Sequence, residues 1–155
     1  MDAINAGRKV MKYFFDTNII LILFQGRDDE IRTNVKNILT DEGNSFYIST
    51  ISLLEIAQLC RKRRIDGVDY ESEKFDDGEK IIKHILKELP IINILPFEEK
   101  DALIAARLKF VPNHNDPNDL AIIGHSIGVG MPLISCDDKF PFYEAQGAKV
   151  IHNPR

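Results

Sequence analysis

Short apolar and aromatic runs alternate along this chain with longer stretches whose apolar residues recur every three or four positions. Runs of the first kind have the length and composition of buried strands, and stretches of the second kind have the spacing of a helix face. Up to the last two strand-like runs, at least one helix-like stretch separates each strand-like run from the next. This order predicts an α/β fold of three layers, in which helices flank a mostly parallel central sheet of about five strands.

The bounds of the expected elements come from these patterns and from the turn residues between them. The strands are expected at residues 13–15, 46–49, 91–95, 132–135 and 148–151. The helices are expected at residues 18–24, 29–39, 52–64, 81–89, 96–109 and 119–127. Pro96 would open the fifth helix, and Asn118 would cap the sixth.

A chain of 155 residues is long enough to bury the core of one domain. We interpret residues 1–10 as a leader and residues 11–155 as a single domain. The two cysteines are far apart and show no ligand-like spacing, and the most apolar run, residues 18–24, is too short to span a bilayer. We therefore expect a cytoplasmic protein with no membrane association.

The net charge of −4 means that the overall field of the protein does not attract nucleic acid. Binding to RNA would need a local basic patch or a bridging cation. One basic run is present, and it could contact phosphates or simply be the solvated end of a helix. Its residues are Arg61, Lys62, Arg63 and Arg64.

Two aspartates lie where strands are expected to end. Asp16 follows the first predicted strand directly, and Asp137 comes two residues after the fourth. In a parallel sheet both would reach the same edge, which is where such sheets bind ligands. A single aspartate after a strand is more often a turn residue or a helix cap, so the pair is suggestive and does not decide the matter.

Glu55 lies on a predicted helix among apolar neighbours, with Ile51 and Leu59 one turn away on either side. A carboxylate on such a surface needs a partner, and a metal ion or a buried cation would serve. The alternative is a glutamate at the edge of the apolar stripe that reaches water along its stem. This feature alone does not separate the two.

Asp119 opens the sixth predicted helix, where an acid also compensates the helix dipole. Ile122 and Ile123 follow it at helical spacing, which indicates that the helix is buried. Asp116 precedes Pro117 and is expected to be a turn residue, although it could also point into a site.

In order, the segments FFDTN, STISLLEIA, DPNDLAIIGHSIG and PLISCDDKF resemble the motifs of PIN-domain nucleases, and in particular of VapC-type toxins. Each motif is weak alone, but four in this order are fairly specific, and they span residues 11–151. Asn118 departs from the family, which often has Phe there, and His125 lies in a stretch that varies. The resemblance implies catalytic and metal-binding roles for Asp16, Glu55, Asp119 and Asp137, and supporting roles for Thr17, Asn18 and Ser135.

The same resemblance implies a Mg²⁺- or Mn²⁺-dependent endoribonuclease that uses a metal-activated water. It also implies a homodimer and a small antitoxin partner. Both ions prefer oxygen ligands, and a cation would relieve the repulsion among converging carboxylates. No histidine base is then required. His125 could contact substrate but is more often a packing or surface residue at such a position, and His114 and His152 show no ligand-like spacing.

Three other interpretations compete with the nuclease. A receiver domain would need an acidic pair after its first strand and an aspartate after its third, and the third predicted strand here ends at Leu95-Pro96. A nucleotide-binding fold would need a glycine-rich phosphate loop, which is absent from the sequence. A catalytically silent PIN-like module that binds RNA or protein remains the main non-enzyme alternative.

Overall fold

Five parallel strands form the central sheet in the computed structural model, which describes residues 10–155. The strands are β1 (Lys12–Phe15), β2 (Ser45–Ser49), β3 (Ile92–Leu95), β4 (Leu133–Ser135) and β5 (Val150–His152). Their order across the sheet is β3-β2-β1-β4-β5. The predicted fold class is confirmed, and β1, the first strand in the chain, is the middle strand of the sheet.

Helices cover both faces of the sheet and connect its strands. The α-helices are α1 (Thr17–Phe24), α2 (Thr33–Thr40), α3 (Thr50–Arg61), α4 (Gly78–Glu88), α5 (Glu99–Arg107) and α6 (Pro117–Val129). Short 3₁₀ helices lie at Asp28–Glu30, Glu73–Phe75 and Phe140–Gln146. Along the part of the chain that the structure describes, no helix is both long and apolar enough to cross a membrane.

Alternate side chains of β1 belong to two separate cores. Tyr13 and Phe15 pack into a cluster with residues of α1, α3 and α4, whereas Phe14 packs with α6 and the last 3₁₀ helix on the opposite face. Successive side chains of a strand point to opposite faces of a sheet, so an all-apolar strand must be covered on both. The aromatic composition of β1 thus accounts for its central position.

The expected helix at residues 29–39 is interrupted, and a distant side chain explains the interruption. The chain forms a 3₁₀ turn, leaves the helical path at Ile31 and Arg32, and resumes as α2. Buried Asn153 accepts a hydrogen bond from the backbone N of Arg32 (2.7 Å) and donates one to the backbone O of Glu30 (2.8 Å). Its amide satisfies the backbone groups that the missing helical turn would have paired.

Two predicted helix starts are wrong by a few residues. The N-cap of α6 is Asp116, which accepts a hydrogen bond from the backbone N of Asn118 (2.9 Å), while Pro117 occupies the first helical position. Asn118 is therefore inside the helix. Pro96 lies before α5, whose N-cap is Glu98. In both cases an acidic residue near the proline captures the free backbone donors.

The expected leader, residues 1–10, lies outside the described residues except for Val10. The assignment of residues 11–155 to a single domain stays a prediction. In the structure, one hydrophobic cluster lies on each face of the same five-stranded sheet.

Helices α5 and α6 approach each other unusually closely at two glycines. A Cβ atom on Gly124 would lie 2.8 Å from the Cα, Cβ and backbone N of Ala105, and one on Gly128 would overlap Asp101 Oδ1. Contacts that close do not occur between real side chains and backbone. The absence of a side chain at Gly124 and Gly128 is thus what allows the two helices to touch.

We expect Gly124→Ala to destabilise the protein by about 1–3 kcal/mol, because the new methyl group must displace the backbone of Ala105. This reverses the usual effect in a helix interior, where alanine is favoured over glycine by about 1 kcal/mol. Urea denaturation monitored by circular dichroism measures the difference. Gly78→Ala is the matched control, because its Cβ would meet Ala57 at an ordinary 3.5 Å. Equal stability of Gly124→Ala and wild type would show that the helix contact is looser than described.

Candidate functional site

The carboxyl ends of β1 and β4 bring two aspartates to the same edge of the sheet. Asp16 follows β1, caps α1, and accepts hydrogen bonds from the backbone N of Thr17 and from Ser135 Oγ, both at 2.7 Å. Ser135 Oγ also accepts one from the backbone N of Asp137 (3.0 Å). The strand order runs outward from β1 to β2 and β3 on one side of the sheet, and from β1 to β4 and β5 on the other. Open parallel sheets bind ligands at the position where the strand order reverses in this way.

Glu55 reaches this edge from α3. The Thr17 hydroxyl donates a hydrogen bond to Glu55 Oε1 (2.7 Å) and lies 2.9 Å from Ser52 Oγ. Thr17 therefore connects the helix that carries Glu55 to the backbone beside Asp16. The apolar neighbours that singled out Glu55 in the sequence, Ile51 and Leu59, are half-buried, and each packs against one of the two hydrophobic clusters.

The first turn of α6 adds two more carboxylates. Asp116 caps the helix and Asp119 is its third residue. Single carboxylate oxygens of Glu55, Asp116 and Asp119 all lie within 4.8 Å of one another. Asp116, expected from the sequence to be a turn residue, thus has a side chain that both caps α6 and faces the other acids.

His114 is a site residue that no sequence pattern selects. Its Nε2 lies 2.8 Å from Asp119 Oδ2, and its Nδ1 contacts the hydroxyl of Tyr143. One ligand atom each from His114, Asp119 and Asp137 fall within 4.8 Å of one another. The residue lies in the loop between α5 and α6, where no periodicity relates it to the acids, so only the tertiary fold reveals the contact.

Burial and mutual repulsion raise the pKa values of these carboxylates. The pKa of Asp16 rises to about 6, chiefly because the group is buried, although the hydrogen bonds from Ser135 and Thr17 oppose the shift. The pKa of Glu55 rises to about 7 and that of Asp119 to about 8, again mainly through burial, with nearby aspartates adding to it. Each group is harder to ionise chiefly because it is buried, and further because its neighbours are acids.

No lysine or arginine among residues 10–155 forms an ion pair with Asp16, Glu55, Asp119 or Asp137. The donor set consists of carboxylate oxygens, which are ligands of Mg²⁺ and Mn²⁺, and one imidazole nitrogen, which is a ligand of transition-metal ions. A cation held there would offset the negative charge. The residues present therefore fit a divalent metal site.

The remaining predicted residues fall into two groups. Asn18 Oδ1 accepts a long hydrogen bond (3.4 Å) from the backbone N of Cys136, so it supports the segment that carries Asp137. The basic run is exposed at the end of α3, where Arg63 pairs with Glu71 (2.8 Å). Within the described residues, none of the hydrogen bonds or ion pairs joins Arg61, Lys62, Arg63 or Arg64 to the four acids.

His125 is a buried connector and not a surface residue. Its Nδ1 lies 2.8 Å from Oγ of Ser49, the N-cap of α3, and its Nε2 lies 3.5 Å from Asp101 Oδ2 on α5. Only 1% of its surface is exposed. His125 on α6 thus links the helix that carries Glu55 to the helix that carries Asp119, which agrees with the packing interpretation.

Comparisons with known proteins agree with this arrangement. The family model described as PIN domain matches residues 13–146. Among solved structures, VapBC2 from Rickettsia felis bound to a promoter DNA fragment is similar with 20% identity and a TM-score of 0.61, covering 92% of this chain and 98% of that chain. VapBC-1 from nontypeable Haemophilus influenzae gives 23% identity, the same coverages and a TM-score of 0.61.

DNA-bound VapBC from Salmonella typhimurium is similar with 15% identity, 92% and 98% coverage, and a TM-score of 0.62. At identities this low the three structures establish a shared fold and nothing more. No curated protein matches the chain in sequence.

In EDTA, we expect the free energy of unfolding to fall as the pH rises from 6.5 to 8.5. A folded-state pKa above the unfolded value means that the folded protein holds protons the unfolded chain has lost, and this advantage disappears as Glu55 and Asp119 ionise near pH 7 and 8. His125, whose pKa is lowered by burial from the ordinary 6.5, opposes this trend below that range and at its acid end. Urea titrations at several pH values measure the slope.

Asp119→Asn should flatten the slope, because it removes the group with the highest of these pKa values and part of the repulsion on Glu55. Glu79→Gln is the control, since Glu79 is 74% exposed and pairs with Lys83 on the same helix. A wild-type profile that rises through this range would contradict the electrostatics described here.

Proposed function

The chain belongs to the PIN domain family, and we propose that it is a Mg²⁺- or Mn²⁺-dependent endoribonuclease that acts as the toxin of a toxin–antitoxin pair. The observation that carries the proposal is the convergence of four acids at one edge of the sheet. Asp16, Glu55, Asp119 and Asp137 come from four segments that are far apart in sequence. A structural role for each acid separately would not require them to meet.

The proposed ligands are the carboxylates of Asp16, Glu55, Asp119 and Asp137, with Asp116 at the rim. A divalent cation in this site would lower the pKa of an attacking water and stabilise negative charge on the phosphodiester. The carboxylates themselves would hold the cation and, through it, the phosphate. The basic run at the end of α3 could contact phosphates of the RNA backbone near the site.

The polar neighbours would fix the acids in place. Ser135 and the backbone N of Thr17 occupy one lone pair on each Asp16 oxygen, which sets the rotation of that carboxylate. The Thr17 hydroxyl does the same for Glu55. An ionised acid that already accepts such hydrogen bonds loses little further freedom when it binds a cation, which favours binding.

RNA as the substrate, and the toxin role, rest on the motif resemblance and on the family. A silent PIN-like binding module is the alternative. It would have no reason to keep several acids with raised pKa values beside one another, because such a cluster destabilises the metal-free fold. The acids therefore favour an enzyme over a binding module.

A small antitoxin and a second copy of the chain are the proposed protein partners, and the cytoplasm is the proposed location. The solved structures with this fold include the VapBC complexes named above. Three large apolar side chains are more than a third exposed on α3, β3 and α5, and they are available for such contacts. They are Leu54, Ile94 and Leu103.

We expect the purified protein to cut single-stranded RNA in the presence of Mn²⁺ or Mg²⁺ and to stop in EDTA. Asp16→Asn, Glu55→Gln, Asp119→Asn and Asp137→Asn should each lower the rate by about a hundredfold or more, because each removes a charge that holds the cation. Gel assays with end-labelled RNA and single-stranded DNA measure the rates.

Asp116→Asn should retain much more activity than Asp119→Asn, because asparagine caps a helix as well as aspartate does. Glu79→Gln serves as the control for loss of an acid elsewhere on the surface. If Asp116→Asn is inactive and Asp119→Asn is active, the assignment of the α6 acids is wrong. If no metal supports cleavage of any substrate, the binding module replaces the nuclease.

We expect light scattering to give the mass of a dimer at micromolar concentration. Replacing exposed Leu54 and Leu103 by serine should shift the mass toward the monomer if these side chains form the contact, while leaving the circular dichroism spectrum unchanged. A wild-type protein that is strictly monomeric would contradict the homodimer. Overexpression of active protein that leaves a bacterial host unharmed would contradict the toxin role.

A further inference from the structure

We infer that His114 is a nitrogen ligand of the metal site and makes it prefer Mn²⁺ and other transition-metal ions to Mg²⁺. The geometry carries this inference, because His114 Nε2 and one oxygen each of Asp119 and Asp137 lie within 4.8 Å of one another. It rests on the proposed function only in requiring a divalent ion at these acids. It adds a ligand that the acidic motifs do not contain.

The spacing of the two nearest donor atoms suits a shared ion. Neighbouring ligands that are each about 2.1 Å from a metal lie roughly 3 Å apart when they meet it at right angles. His114 Nε2 and Asp119 Oδ2 are 2.8 Å apart. Without an ion, the same distance is that of a hydrogen bond from Nε2–H to the carboxylate, so the pair is already in position.

The other side of the imidazole is held by a buried tyrosine. Tyr143 is fully buried, and its hydroxyl accepts a hydrogen bond from the backbone N of Val111 (3.2 Å) and contacts His114 Nδ1. The rings of His114 and Tyr143 meet edge to face at 5.5 Å. This arrangement leaves Nε2 facing the acids, and the hydroxyl at Nδ1 takes the place of the carboxylate, carbonyl or water that usually supports a metal-bound histidine.

Proton positions on the ring do not prevent ligation. The Tyr143 oxygen has two lone pairs, and Val111 uses one of them. The second can accept a hydrogen bond from Nδ1–H. A shift of the ring proton from Nε2 to Nδ1 therefore frees the Nε2 lone pair for a metal and leaves every donor of the ring satisfied.

Nitrogen ligation has a consequence for the choice of metal. Mg²⁺ takes oxygen ligands almost exclusively, whereas imidazole nitrogen suits transition-metal ions. A site of carboxylates alone would discriminate weakly between Mg²⁺ and Mn²⁺. Adding His114 to Asp119 and Asp137 strengthens the binding of Mn²⁺ selectively.

The test measures metal binding directly and does not depend on cleavage. Mn²⁺ is added to the full-length protein, and electron spin echo spectroscopy detects the nitrogen nuclei bound to it. We expect the spin echo of bound Mn²⁺ to show nitrogen modulation in wild type and in His84→Gln, and to show none in His114→Gln. His84 is the matched control because it lies on α4, in contact with Phe24 and Phe75.

Calorimetric titrations with Mn²⁺ and with Mg²⁺ give the second measurement. His114→Gln should weaken Mn²⁺ binding about 10–100-fold, which is the loss of metal affinity typical when even a residue that supports a metal ligand is replaced. Mg²⁺ binding should weaken less than threefold. Glutamine can still donate a hydrogen bond to Asp119, so a residue that only positions that carboxylate would be largely rescued. Thermal melts in EDTA check that the variant is folded. The spin-echo spectrum of wild type tests nitrogen ligation without any variant.

Two results would overturn the inference. Mn²⁺ bound to wild type without nitrogen modulation, or equal losses of Mn²⁺ and Mg²⁺ affinity in His114→Gln, would reduce His114 to a residue that positions Asp119. The proposed nuclease would survive either result. Failure of any divalent ion to bind wild type would remove both the ligand and the metal dependence of the proposed function.

Discussion

The parallel pairing of β1 with β2 on one side and β4 on the other determines where every element of the candidate site lies. Because β1 lies between β2 and β4, the residue that follows it, Asp16, lies at the carboxyl edge in the middle of the sheet. The hydrogen bond from Ser135 to Asp16 then joins the exits of β1 and β4. Glu55 of α3 and Asp119 of α6 complete the site by extending to this edge.

The acids that the proposed function requires at this edge lower the stability of the metal-free protein. The raised pKa values of Asp16, Glu55 and Asp119 mean that ionising the site costs free energy in the metal-free protein. The surrounding fold resists the repulsion through contacts away from the acids. The buried hydrogen bond between His125 and Ser49 holds α6 against the start of α3, and so keeps the helices that bear the acids together.

The sequence predicted those parts of the molecule that local patterns control. Strand ends located Asp16, and apolar neighbours made Glu55 unusual for a surface residue. The parts it missed depend on contacts between distant segments. The break before α2 is stabilised by Asn153, about 120 residues away in sequence, and His114 meets Asp119 only because the loop before α6 folds back over Tyr143. The cap of α6 was also misplaced, because Asp116 and Asn118 are both good N-caps and only the proline position separates them.

The negative charge of the site also constrains how the proposed partners could act. A basic side chain from an antitoxin and a divalent cation would satisfy the same carboxylates, and each would lower the apparent pKa values of Glu55 and Asp119. Two ligands that use the same charge weaken each other reciprocally, because binding the first removes the repulsion that drives binding of the second. Under the proposed function, a partner would therefore inhibit by occupying the place of the metal, without covering the whole surface. The site would bind its cation most strongly when no protein partner is present, which is the state in which a toxin acts.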